Sequence, residues 1–412
     1  MKRIAFLLGM ALALPLAANE PAAATVAPAP PRQLTLAQAF ELAWQRTPAA
    51  QALTGRQGQS RAEADLAAAW TPAAPKVTLG ALSDRFNNNS AGWQEWEAEL
   101  AVPLWLPGQR DAQQALARSQ QSLVGSQAAA QRLELAGTLR DAWWRLATAA
   151  NAGVLAQGRL DWAKALQADV DRRWRAGEMA RTDANIARTE VQAAEAEAIE
   201  TIRGERQAQF AWRTLTGVPP PAALDEEAPA AASAEPGANP RLLALDAAIQ
   251  RVRARARLQD KSAREAPELT LRVLREHGSA AEPYANAIGV KLSIPFSSGP
   301  RLASEGAGIA AELVEAEAQA QQLREQLRFE VDAARADVQA AERRLALAGT
   351  RAELAAETLQ LLQRAFTLGE ADLATLLRAR AAAFDAQSER ERQRIARGAA
   401  ISQLNQALGV LP

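Results

Sequence analysis

The sequence has 412 residues, about half of them hydrophobic, which is enough for more than one compact domain. Basic and acidic residues both number 47, so the formal net charge is zero, which argues against a nucleic-acid partner because such binding needs a basic surface. Cysteine is absent and His277 is the single histidine, which excludes disulfides and thiolate chemistry and leaves little for a metal site. These totals favour a protein that is not an enzyme and that uses no cofactor.

The N-terminus is typical of a secretory signal. Lys2 and Arg3 precede an apolar run from Ile4 to Ala18, and small residues follow it. We expect residues 1–24 to form a signal peptide and residues 25–32, rich in proline and alanine, to form a flexible leader. A membrane anchor is the alternative, but the run is short for a spanning helix. No later apolar run is long enough for such a helix, so a membrane crossing would have to use strands.

An internal repeat organises the rest of the chain. Pro48 recurs as Pro240, 192 residues later, and further prolines and glycines match at the same offset with no gap. The remaining pairs are Pro75 with Pro267, Pro103 with Pro295, Gly177 with Gly369, and Gly217 with Gly409. The first unit is predicted at residues 33–218 and the second at 239–410. Residues 219–238 between them, rich in Pro, Ala and acidic residues, are predicted to be a linker.

Each unit contains two stretches in which apolar and polar residues alternate. Such a period of two predicts strands, at about 75–83 and 93–103 in the first unit and at about 267–275 and 284–295 in the second. An ordinary hairpin on a soluble core is the simpler interpretation of one such pair. Charged residues on the polar faces and aromatic residues near the strand ends favour a membrane instead. The aromatic residues are Trp93, Trp96, Trp105 and Tyr284. His277 is expected in the loop between the second pair of strands.

Very long helices follow the strands in both units. Leu323, Leu327, Val331 and Ala334 are spaced by three and four residues, as in a coiled-coil seam. The predicted helices, residues 108–176 and 300–368, would each be roughly 100 Å long at 1.5 Å per residue. Each ends at a glycine turn and is followed by a return helix, at residues 182–216 and 374–408. A long soluble coiled coil is the alternative that the helices alone leave open.

The duplicated order of elements, the Thr-Pro and Asn-Pro openings, the strand-ending prolines and the turns at Gly177 and Gly369 resemble the TolC-type outer membrane efflux family. The resemblance covers residues 33–410 and implies a mostly α fold with a small membrane β-barrel contribution. Four strands cannot close a barrel, and open strand edges are unstable in lipid, so an oligomer is required if the hairpins are inserted in a membrane. The resemblance implies a homotrimer with a 12-stranded barrel, continued by a periplasmic α-helical coiled-coil barrel.

The same resemblance implies a function and partners. The chain would be the outer membrane channel of a tripartite efflux system, a passive exit duct with a long periplasmic part in a Gram-negative bacterium. Its partners would be outer membrane lipid, a periplasmic adaptor and an inner-membrane transporter. The exit duct of a type I protein secretion system is an alternative, as is, from another class, a periplasmic coiled-coil adaptor or scaffold. The Leu106 to Arg110 segment resembles the heavy-metal efflux branch, while drugs and proteins stay open as cargo.

Site residues carry over from the family to the two helix-hairpin tips. The adaptor-docking residues of the first tip would be Arg175, Gly177, Glu178, Arg181, Thr182 and Asp183. Those of the second tip would be Thr367, Gly369, Glu370, Asp372 and Thr375. A periplasmic gate would involve Glu370, Asp372, Thr375 and Arg378. Some family members place acidic residues just after the second tip, where this chain has Thr375 and Arg378, so we expect its gate to differ from theirs.

Overall fold

A computed structural model describes residues 34–84, 92–221, 225–230, 236–279, 281–296 and 299–412. The predicted signal peptide at 1–24 and leader at 25–32 lie outside the described residues.

The first unit consists of two short helices, two strands and two long helices. These are α1 (Leu36–Arg46), α2 (Pro48–Ala68), β1 (Lys76–Ser83), β2 (Gln94–Pro103), α3 (Gln109–Arg175) and α4 (Arg181–Thr216). The side chains of Thr35 and Thr47 accept hydrogen bonds from the first turns of α1 and α2. Gly108, directly before α3, has a φ of +74°, a left-handed conformation that glycine adopts without strain.

The second unit repeats this order. Its elements are α5 (Pro240–Lys261), β3 (Glu268–His277), β4 (Ala285–Ser293), α6 (Gly299–Thr367) and α7 (Leu373–Ala407). Asn239 caps α5 by accepting a hydrogen bond from the N–H of Arg241 at 2.9 Å. The predicted fold class, a mostly helical chain built from two tandem helix–strand–strand–long helix–helix repeats, is confirmed.

The four strands form one antiparallel sheet in the order β1-β2-β3-β4. β2 of the first unit pairs with β3 of the second, with Leu100 opposite Leu271 and Gln94 opposite His277. The two units therefore meet within the sheet. β1 and β4 are left as edge strands of the protomer.

The long helices pack as antiparallel pairs that extend away from the sheet. α3 has 67 residues and α6 has 69, so each is roughly 100 Å long. α3 packs along α4, and α6 along α7, while α3 also contacts α5 and α7. Trp143, halfway along α3, packs against Trp212 near the end of α4, and both are fully buried with ring centroids 5.4 Å apart. Small buried alanines such as Ala136 and Ala194 allow close approach of the helices.

Candidate functional site: the sheet and the hairpin tips

One face of the sheet is apolar and exposed. Leu79, Ile288 and Val290 are 78%, 77% and 72% exposed. The register makes this apolar face continuous across all four strands, because Leu100 lies between Val77 and Leu271. Its members are Val77, Leu79, Ala81, Trp96, Ala98, Leu100, Val102, Leu269, Leu271, Val273, Ile288, Val290 and Leu292. A hairpin packed on a soluble core would bury this face, so that interpretation does not fit the protomer.

The opposite face of the sheet is polar and carries three carboxylates on one strand. Glu95, Glu97 and Glu99 alternate along β2 on this polar face. The Arg272 guanidinium on β3 lies 3.5, 2.7 and 3.7 Å from their respective carboxylate oxygens. Lys291 on β4 lies opposite Thr270 on the same face. Charged groups gathered on one face suit contact with water there and contact with an apolar medium on the other.

Near the end of the sheet where the hairpins turn, the apolar face carries a basic residue. Arg275 lies two residues beyond Val273 on this face, opposite Trp96. Its guanidinium carbon lies over the ring of Tyr284, 4.2 Å from the centroid. The expectation that His277 lies in the hairpin loop is wrong. It is the last residue of β3, because its backbone pairs with Gln94, and its ring packs edge-on against Tyr284 at 4.4 Å.

Two further properties of the described residues bear on the candidate function. All the helices in the described ranges are too polar or too short to serve as membrane spans. Within those same ranges, no group of three or more His, Asp or Glu side chains is arranged to hold a metal ion.

The first hairpin tip is a glycine turn between α3 and α4. Gly177 has a φ of +82°, and the next N–H, of Glu178, donates to the Arg173 carbonyl at 2.9 Å. This closes the end of α3 in the manner of a Schellman motif. The Asp183 carboxylate accepts from the Ala180 N–H at 3.3 Å and so caps α4. The predicted docking residues Arg175, Gly177, Glu178, Arg181 and Thr182 are exposed, and Asp183 is half-buried.

The second tip repeats this turn with a different cap. Gly369 has a φ of +79°, and the N–H of Glu370 donates to the Ala365 carbonyl at 2.9 Å. Asp372 caps α7 by accepting from the Thr375 N–H at 2.7 Å. Hydrogen bonds from the side chain and backbone of Thr375, together with nearby Arg378, hold the pKa of Asp372 below its ordinary value.

The predicted gate residues form a local cluster at this second tip. Arg378 donates to the Thr375 hydroxyl at 3.2 Å, so Asp372, Thr375 and Arg378 are linked through one turn of α7. Glu370 is exposed and has no ion-pair partner in the part of the chain that the structure describes. Thr367 and Gly369 are also exposed. The docking and gating roles of these residues stay predictions.

A shared core holds the two tips side by side. Leu166 and Val170 of α3 pack with Phe366, Leu373 and Leu376 of the second hairpin. The Arg173 guanidinium also lies over the Phe366 ring, 4.9 Å from its centroid. Two exposed turns are thereby fixed next to each other, with one apolar side chain, Leu368, 73% exposed at the second.

Two charged residues of the sheet, Arg272 and Arg275, were not predicted from the sequence to be part of the site. Arg272 contacts the three glutamates only through strand pairing across more than 170 residues of sequence. Arg275 had a local signal, because it interrupts the apolar alternation of Leu269, Leu271 and Val273. That signal marks where the apolar face ends.

Comparisons with known proteins identify the fold. No protein-family model matches the sequence, and no curated protein matches it. Among solved structures, VceC of Vibrio cholerae superposes with a TM-score of 0.70 at 17% identity, over 91% of this chain and 96% of VceC. The CmeC outer membrane channel of Campylobacter jejuni gives 0.71 at 14% identity, over 91% and 85%. CusC gives 0.74 at 16% identity, over 92% and 93%. The chain therefore has the fold predicted from its sequence, that of TolC-type outer membrane channels.

Proposed function

With this fold as the premise, we propose that the chain is the outer membrane channel component of an efflux system. The observation that carries the proposal is the sheet with an exposed apolar face and a charged opposite face, joined to hairpins roughly 100 Å long. Val77, Ile288 and Val290 would face lipid, while Glu97 and Arg272 would face a wet interior. The long helices would then cross the periplasm.

The edge strands β1 and β4 support a trimer as the working form. Their backbone groups need partners in lipid, where an unpaired N–H or C=O costs several kcal/mol. Pairing β4 of one protomer with β1 of the next would close three four-stranded sheets into a barrel of 12 strands. The barrel is continued by helix pairs of three protomers, which gives a duct rather than a binding pocket.

Transport through this component would be passive and involve no enzymatic step. Docking of a periplasmic adaptor, which would connect the channel to an inner-membrane pump, is assigned to the two exposed tips. The docking residues are Arg175, Gly177, Glu178, Arg181, Thr182 and Asp183 in the first tip, with Thr367, Gly369, Glu370, Asp372 and Thr375 in the second. The gate residues are Glu370, Asp372, Thr375 and Arg378. Support comes from the shared core that holds both turns together and leaves them exposed.

A pair of adjacent substitutions on β4 tests the proposal. Val290 and Gly289 are both exposed but lie on opposite faces of the sheet. Val290→Arg would place a cation in hydrocarbon at roughly 2–4 kcal/mol per protomer, and should abolish trimers in the outer membrane fraction. Gly289→Arg has open space around it on the wet face. It would lie opposite Arg272, but the three glutamates near Arg272 should offset a second cation there, so this variant should be tolerated. The wild type should form ion-conducting pores in planar bilayers. Recovery of the wild type as a soluble periplasmic monomer would overturn the proposal.

A further inference from the structure

Near the hairpin turns, the apolar face of the sheet carries the positively charged side chain of Arg275. Arg275 has five N–H donors, yet within the described ranges no carboxylate or other acceptor bonds to it. Its neighbours across the ladder are Trp96 on β2 and Asn286 on β4. The glutamate that follows it, Glu276, points to the polar face, as does Glu95 opposite. Among the residues that the structure describes, none therefore neutralises this charge.

Position along the sheet fixes the depth of this cation in a membrane. The helices leave the sheet at the end that holds Pro103 and Glu268, and Arg275 lies near the other end. With the helices in the periplasm, that other end lies at the outer leaflet. An arginine facing hydrocarbon is costly, and the cost falls towards zero at the interface. Arg275, two residues beyond Val273, thus marks the level of the lipid headgroups.

Contacts with aromatic side chains restrain the guanidinium of Arg275. Tyr284 lies beneath it at 4.2 Å from ring centroid to guanidinium carbon, and its hydroxyl donates to Gln94 at 3.1 Å. His277 packs on the edge of the same ring, and its Nδ1 is 2.8 Å from the Ser279 carbonyl oxygen. Since a carbonyl only accepts, Nδ1 carries the proton. This contact with the ring face restrains the guanidinium, and no acceptor in the described ranges takes its N–H groups.

We infer that Arg275, supported by Tyr284 and His277, binds the phosphate of an anionic lipid headgroup in the outer leaflet. This rests on the proposed membrane function. A phosphate matches the planar, forked donors of arginine, and an anionic headgroup would supply the opposite charge that the described residues do not. A trimer would carry three such sites around its outer rim. They would fix the height of the assembly in the membrane in addition to the apolar face.

The test counts lipids that stay bound to the trimer. Wild type, Arg275→Gln, Arg275→Lys and the control Arg343→Gln are extracted from outer membranes in mild detergent. Each is equilibrated with phosphatidylglycerol or phosphatidylcholine, and retained lipid is counted by native mass spectrometry. Arg343 is an exposed arginine of α6, far from the sheet. Arg343→Gln therefore removes one positive charge, as Arg275→Gln does, but away from the proposed lipid site. We expect retained phosphatidylglycerol to fall about tenfold in Arg275→Gln, less in Arg275→Lys, and not at all in Arg343→Gln.

The outcomes separate this inference from the proposed function. Undiminished phosphatidylglycerol on Arg275→Gln trimers from the outer membrane overturns the inference alone, whereas a soluble wild type overturns both. If Arg275→Gln does not assemble, the comparison of the two lipids on the wild type tests the inference. Equal retention of phosphatidylglycerol and phosphatidylcholine would contradict a site for anionic lipid. Binding of inorganic phosphate to wild-type but not to Arg275→Gln trimers, without retention of phosphatidylglycerol above that of phosphatidylcholine, would assign the site to the free anion and overturn the lipid assignment.

Discussion

Arg140 and Glu227 form a two-pronged ion pair between α3 and the segment that joins the two units. The Nη2–Oε1 and Nε–Oε2 distances are 2.8 and 2.9 Å, and the side chains are only 3% and 11% exposed. Arg140 also donates to the Gln406 side chain at 2.5 Å and to the Val410 carbonyl at 3.0 Å. One arginine thus ties the first long helix, residues 225–230 and the C-terminal end together.

Removal of Glu227 should destabilise this junction strongly. Glu227→Ala leaves the buried Arg140 charge without its partner, which costs roughly 3 kcal/mol or more in the free energy of unfolding. Glu226→Ala is the matched control, because Glu226 bonds to Arg394 and Arg397 at 3.3 and 3.2 Å on a more exposed surface. Its cost should stay below about 1 kcal/mol. Denaturant unfolding followed by tryptophan fluorescence measures both. Equal costs would contradict the structural role assigned to the buried pair.

The pairing of Arg140 with Glu227 could not be predicted from the sequence. Composition predicted a linker at 219–238, and composition carries no information about which distant residue an acidic side chain meets. Arg140 and Glu227 are 87 residues apart, and the rest of α3 and the whole of α4 lie between them in the sequence. The long helices and strands were predictable, because burial on one face leaves a period of 3.6 or 2 in the sequence. Pairing across elements leaves no such period.

Gly398 and Trp144 form a tight contact between α7 and α3. A Cβ at position 398 would lie 2.2 Å from Cη2 of the Trp144 ring, which is held by a hydrogen bond from its Nε1 to the Ser402 hydroxyl at 2.9 Å. Gly398→Ala should therefore destabilise the protein by about 1–3 kcal/mol through overpacking, despite the better helix propensity of alanine. Gly349→Ala, in open space on α6, should be neutral or slightly stabilising. Thermal unfolding compares the two. A neutral Gly398→Ala would mean that the helices separate easily at this level.

The cap of α7 at the second tip should weaken in acid. The pKa of Asp372 is held below its ordinary value by hydrogen bonds from Thr375, so the cap is fully present above the ordinary pKa. It is lost as the pH falls through the lower, folded-state pKa. Asp372→Asn keeps a capping oxygen that does not titrate. Hydrogen exchange at the Thr375 amide should rise several-fold on acidification in the wild type, relative to Asp372→Asn. A constant ratio between the two proteins would contradict the assignment.

The tips were the most predictable part of the candidate site. Gly177 and Gly369 end long periodic runs, and only a residue that accepts a positive φ closes a helix in this way. Their adjacency was not predictable from those local signals, because it depends on packing between Val170 and Phe366 from different units. In the sheet, the apolar alternation predicted the positions of the exposed apolar face, while the arrangement of Arg272 among three glutamates depends on the register of β2 with β3.

Arg272 should control the ion preference of the proposed pore. Its guanidinium lies within 4 Å of the carboxylates of Glu95, Glu97 and Glu99. In a trimer, three such arginines would lie beside nine carboxylates. Arg272→Gln removes the cation from this ring and makes the interior more negative, so the pore should favour cations more than the wild type does. The reversal potential in planar bilayers under a potassium chloride gradient measures this preference.

A second substitution on the same strand pair provides the control for this shift. Glu97 is the closest partner of Arg272, at 2.7 Å. Glu97→Gln alone should move the reversal potential in the opposite direction, because it removes a carboxylate from the same face. Arg272→Gln combined with Glu97→Gln leaves the net charge of the polar face unchanged and should bring the reversal potential back towards the wild type. If all three variants conduct with the reversal potential of the wild type, the polar face does not line the path of the ions. The assignment of lipid and water to the two faces would then have to be reversed or abandoned.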